Sequence, residues 1–154
     1  MNAFHFPLEK VLELRRQQLK VEEAQFRRHL RTLADIDRRR AEYEAAGAAA
    51  ETQVRGWDPL FGRELHALGV FRLHTKQQEL SLARPRAECQ QAIAGQQKAM
   101  LEARRRVRLL ERMKERRLAE WQAAADREIE QLASESYLAG WVRRAGKKAA
   151  DRTG

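Results

Sequence analysis

Four histidines, one cysteine and a dense run of arginines are the side chains of this chain best suited to chemistry. His5, His29, His66 and His74 stand at spacings that give no pair with a second histidine, a cysteine or a carboxylate couple of the kind that holds zinc or a di-iron centre. Cys89 has no histidine near it in sequence, and a reactive thiol needs a neighbour that lowers its pKa. No glycine-rich phosphate loop and no nucleophile elbow is present. The plentiful glutamates suit pairing with arginines four residues on, the surface pattern of a helix. These readings predict a protein that is not an enzyme, with no catalytic residue, cofactor or metal.

Arg104, Arg105, Arg106, Arg108, Arg112, Lys114, Arg116 and Arg117 form the densest basic run, against Glu111 and Glu115. Taken together the eight spread round a helix and do not form one face. The bland reading is a solvated helix with intrahelical pairs; the sharper one is a docking surface for an acidic protein. Nucleic acid would need phosphate contacts on one side and stacking aromatics for single strands. Trp121 belongs to an apolar row instead, so no nucleic-acid partner is expected.

Composition says what must position these residues. In 154 residues, 34% are charged and only three are proline. Such a mixture of Ala, Glu, Leu, Arg and Gln is that of long helices and coiled coils. The net charge of +9 bears on partners and solubility, not on fold. A single cysteine fits a reducing compartment. The opening stretch carries Glu9, Lys10 and Glu13, unlike the apolar core of a signal peptide, and no apolar run approaches membrane-spanning length. The expected location is cytoplasmic, reaching a membrane only peripherally through partners.

Pro7 suits the first turn of a helix. From there Leu12, Leu19, Phe26 and Leu33 recur every seven residues, with Leu8, Arg15, Glu22, His29, Ile36 and Tyr43 on the adjoining row. This predicts a helix over 7–55. Gly56-Trp57-Asp58-Pro59-Leu60-Phe61-Gly62 is the strongest breaker in the chain and predicts the reversal, over 56–62. A second helix is predicted over 63–140. Its first part carries Leu65, Leu68, Phe71 and Leu80, and Pro85 puts a kink rather than a full break in it. Ile93, Met100, Val107 and Trp121 keep the seven-residue row, with Lys114 intervening. Leu110, Leu118, Ala124, Ala125 and Leu132 fill neighbouring rows. Residues 141–154 read as a frayed basic tail. The expected fold is all-α: one antiparallel two-helix coiled-coil domain over 1–154 with a longer C-terminal helix. The overhang would expose Trp121, Ile129, Leu132, Tyr137 and Trp141, and exposed apolar patches of that kind mark binding sites.

Two stretches carry a resemblance. Phe4-His5-Phe6-Pro7-Leu8-Glu9-Lys10-Val11-Leu12-Glu13-Leu14-Arg15 resembles the start of the flagellar export protein FliJ family, an aromatic-x-aromatic pair followed by Leu-x-Lys-Val-Leu-x-x-Arg. The stretch from Leu109 to Trp121 resembles that family's second signature, a Leu-x-x-Leu-Lys-Glu-Arg-Arg helix followed by an aromatic. Where the family often has an Asp-Glu pair, this chain has Leu132-Ala133-Ser134-Glu135-Ser136.

The resemblance implies a cytoplasmic part of the flagellar type III export apparatus, used in flagellum biogenesis and motility. Such a protein looks like the central stalk of a rotary ATPase, seated in the ring of the export ATPase FliI. It also implies contacts with the export gate protein FlhA and with substrate chaperones. On this reading Leu8, Leu12, Arg105, Arg108, Arg112, Arg116, Arg117 and Trp121 serve the ATPase ring, and Tyr43, Leu68 and Phe71 face the gate. An injectisome stalk homologue and a generic structural coiled coil are the alternatives.

Overall fold

The structure, a computed structural model, describes residues 3–150, with side chains described through Lys147. It has three helices among the described residues: α1 (Glu9–Arg55), α2 (Gly62–Ser81) and α3 (Ala83–Ala150). The chain is all-α. α1 is one arm of an antiparallel two-helix coiled coil; α2 and α3 form the other, longer arm, which bends at Leu82.

Each boundary has a local cause. Pro7 lies in a turn two residues before α1, and the Glu9 N–H donates to the Phe6 carbonyl at 3.1 Å. α1 ends at Arg55, and the Trp57 N–H turns back to the Val54 carbonyl at 3.1 Å. At the start of α2 the Glu64 carboxylate accepts from the Phe61 N–H at 2.9 Å. One of the donors a helix start leaves orphaned is thereby satisfied. The expected kink at Pro85 falls three residues earlier. A proline ring has no N–H to offer the carbonyl four residues back and crowds it, here that of Ser81. α2 therefore stops at Ser81, the Leu82 N–H reaches the Glu79 carbonyl at 3.2 Å, and α3 starts afresh with Pro85 in its first turn, where proline is tolerated. α3 does not fray after Gly140 but runs on to Ala150; residues 151–154 of the expected tail lie outside the described residues.

Contacts divide into two compact units, residues 1–14 with 107–154, and Arg15–Arg106. In a two-helix pairing each stretch touches only the stretch opposite it, so contacts stay local along the arms.

The first unit closes on an apolar seam. Phe6, Leu12, Val107 and Ala125 are buried, and Leu12 is wholly shielded at 0% exposure. Burial of a leucine side chain on that scale is worth about 1.5–3 kcal/mol. The Phe4 and Trp121 rings lie 6.1 Å apart at 58°, a tilted aromatic pair. Lys114, the charged interruption of the predicted row, is met by the Glu9 carboxylate at 2.7 Å.

The second unit pairs α1 with α2 and the start of α3, and its seam mixes apolar side chains, Val54, Cys89 and Met100 among the buried ones, with polar ones. The Cys89 thiol donates to the His29 carbonyl at 3.4 Å, and the Gln96 amide donates to the Glu22 carbonyl at 3.1 Å and to the Glu22 carboxylate. Thr75 is buried beside Gly47. A Cβ at Gly47 would sit 3.3 Å from the Thr75 hydroxyl oxygen, so the glycine lets α1 and α2 approach closely. Leu65, Phe71 and Leu80 face outward, and only Leu68 is half-buried; Thr75, Gln78 and Glu79 hold the inward face further along.

Candidate partner-binding surfaces

Within the first unit, helical geometry sorts the basic run by what each residue touches. Lys114 turns inward to Glu9. Arg108, Arg112 and Arg116 recur every four residues, all exposed, on the side of α3 away from Val107, Lys114 and Trp121. Among the described residues none of the three has an ion pair, and Arg117 is likewise exposed and unpaired. Exposed Leu109 and Met113 stand between them. This is an outward cationic strip with apolar interleaving, suited to an acidic partner surface; exposed charges of this kind steer and orient an encounter more than they add affinity. Leu8 is half-buried and Leu12 fully buried, so both hold α1 to α3 and leave the exposed contacts to the arginines. Trp121 is half-buried against Phe4.

Beyond Ala125, every position of α3 from Asp126 to Lys147 is exposed except Gly140. The exposed apolar residues here include Ile129, Leu132, Tyr137, Leu138, Trp141 and Val142. The expected patch therefore exists, but not as one stripe. Ile129 and Leu132 continue the side of Trp121 and Ala125. Leu138 and Trp141 lie on another side of the helix. Ala124 is exposed as well, so of the neighbouring alanines only Ala125 enters the seam.

In the second unit, Arg104 reaches Glu23 at 3.2 Å and Arg106 reaches Glu102 at 3.5 Å, whereas Arg105 is exposed without an ion pair among the described residues. The residues assigned to a gate divide between two grooves. Leu68 and Phe71 line an apolar groove of about 450 Å³ with Ala50, Val54 and Trp57. Tyr43 lines a separate groove of about 590 Å³, with Glu51, Thr75 and Glu79. Sequence reasoning missed Val54 and Trp57; the tryptophan, isolated in the breaker, was the available signal.

Two carboxylates of this unit are held below their ordinary range. The Arg86 guanidinium donates to Asp37 at 2.7 Å, and that bond lowers the Asp37 pKa and raises that of Arg86. Glu79 is lowered mainly by the hydrogen bond from Lys76 at 3.1 Å, with Arg40 adding to it and burial opposing it. Both carboxylates tie the arms together, Asp37 from α1 to α3 and Glu79 from α2 back to Arg40 of α1.

Among the described residues no group of three or more His, Cys, Asp or Glu side chains is arranged to hold a metal ion, and no helix is long and apolar enough to cross a membrane. Compared with protein families, with curated proteins and with solved structures, the chain gives no match in any of the three.

Proposed function

We propose that this chain works by binding other proteins, as a stalk-like coiled coil of the type III export apparatus of the flagellum. It seats in the ring of the export ATPase, stimulates its turnover, and contacts the export gate and substrate chaperones. The observation that carries the reading is the pairing of the two stretches that resemble FliJ. Residues 4–15 and 109–121 are far apart in sequence, yet Phe4 meets Trp121 and Glu9 meets Lys114. Residues drawn from both signatures thus build one local unit, which is what a shared functional end requires. Arg108, Arg112 and Arg116, exposed and free of ion pairs, are the groups that would meet acidic loops of a ring.

The test is the turnover of the cognate export ATPase with and without this protein. Stimulation is expected. Arg112→Glu/Arg116→Glu should lose most of it with helicity by circular dichroism unchanged, because both side chains are exposed. No stimulation by the native chain, or equal stimulation by the double variant, would overturn the reading.

A further inference from the structure

The exposed length of α3 changes character at Glu135. Residues 126–135 carry Asp126, Glu128, Glu130 and Glu135 against the single Arg127. Residues 136–150 carry Arg143, Arg144, Lys147 and Lys148 and no acid at all. The two stretches belong to one helix and are equally uncovered through Lys147, so the switch is not a matter of burial.

The basic stretch is also sided. At about 3.6 residues per turn, Leu138, Trp141, Val142 and Ala145 fall on one arc of the helix, and Arg143, Arg144 and Lys147 on the opposite one. Tyr137 stands at the border. The apolar side chains are well exposed: Leu138 59%, Trp141 59% and Val142 62%. The cations are uncommitted to any acid. The Nε–H groups of Arg143 and Arg144 bond back to the carbonyls of Ala139 and Gly140, both at 3.2 Å, and neither guanidinium has an ion pair among the described residues. Leu138 and Trp141 lie off the side that carries Ile129 and Leu132, whereas Val142 returns to the seven-residue row of Trp121.

We propose that residues 137–147 form an interfacial helix that binds anionic lipid directly, with Leu138 and Val142 sunk among the acyl chains, Trp141 at the edge of that face, and Arg143, Arg144 and Lys147 at the headgroups. Charge chooses this occupant. A neutral apolar partner would leave three cations beside it unanswered, whereas an anionic bilayer answers both arcs at once. Tryptophan and tyrosine at the edge of such a face suit the headgroup level, and a moderately apolar helix with a basic opposite face lies in the plane of the interface rather than spanning it. The inference does not depend on the export reading.

The full chain is mixed with vesicles of phosphatidylcholine alone and of phosphatidylcholine with phosphatidylglycerol, and bound protein is separated by flotation. Binding is expected only with phosphatidylglycerol, falling as salt is raised. Each cation removed should weaken it about fivefold, so Arg143→Gln/Arg144→Gln/Lys147→Gln should lose about a hundredfold. Trp141→Ser/Leu138→Ser keeps every charge; it should lose flotation, whereas simple polyanion binding would leave flotation intact and overturn the proposal. Equal flotation with both vesicles, or none with phosphatidylglycerol, would also overturn it. Unchanged circular dichroism in both variants separates lost binding from lost folding.

Discussion

Within α3, residues 107–125 and residues 126–147 are built by the same kind of sequence and meet opposite fates. The first stretch faces the start of α1, and Val107, Lys114, Trp121 and Ala125 each find a partner or a buried place there. The second carries apolar residues of equal size, and they stay in solvent. A leucine on a helix is therefore not by itself a core residue; the segment opposite decides. The seam also shows that a charge on the predicted row need not weaken it, since Lys114 stays there by meeting Glu9. Each helical stretch that lacks a partner is left with surface to spend on binding.

The sharpest way to break this contrast is to truncate a leucine on each side of it. Leu12→Ala should cost about 2–5 kcal/mol in denaturant unfolding, because a wholly buried side chain is replaced by a cavity. Overpacking the closest approach of α1 and α2 comes next. Gly47→Leu should destabilise by about 1–3 kcal/mol, since even a Cβ would stand 3.3 Å from the Thr75 hydroxyl. Unchanged stability would mean that the second unit is looser than the close approach at Gly47 indicates.

A smaller effect is expected from pH. Asp37 and Glu79 have lowered pKa values in the fold, so their contribution is complete above the ordinary carboxylate range and lost as pH falls through the lowered values. The thermal midpoint should decline at acid pH, and Asp37→Asn/Glu79→Gln should be less stable at neutral pH with a shallower acid decline. A parallel decline in both proteins would assign the acid sensitivity to other groups. Smallest of all, Leu138→Ala should stay within about 0.5 kcal/mol of the native chain, as exposed substitutions do. A loss comparable with that of Leu12→Ala would show that the stretch beyond Ala125 is covered in solution, and the contrast would fall.

Much of the fold was written locally. The seven-residue rows of α1 name its inward face: Leu8, Leu12, Arg15, Leu19, Glu22, Phe26, His29, Leu33, Ile36 and Tyr43 are all buried or half-buried. The breaker from Gly56 to Gly62 sets the reversal within a residue, because glycine and Asp-Pro act through their own backbone geometry. The inward face of α2 was not legible. Leu68, Phe71 and Thr75 share one side of α2 and Leu65, Leu73 and Leu80 lie off it, while the close approach at Gly47 picks out Thr75 for burial, a fact that belongs to two helices at once.

The candidate sites divide along the same line. The four-residue recurrence of Arg108, Arg112 and Arg116 is visible in the letters alone, and so is the loss of acids after Glu135. Which arginines remain unpaired is not, because that depends on whether Glu9, Glu23 or Glu102 stands within reach. By itself the sequence determined helix, reversal and the row that would be buried on α1, since those follow from backbone preference and the period of the helix. Only the tertiary structure decided which residues of α2 turn inward and how far along α3 its partner reaches, because each depends on what stands across the seam.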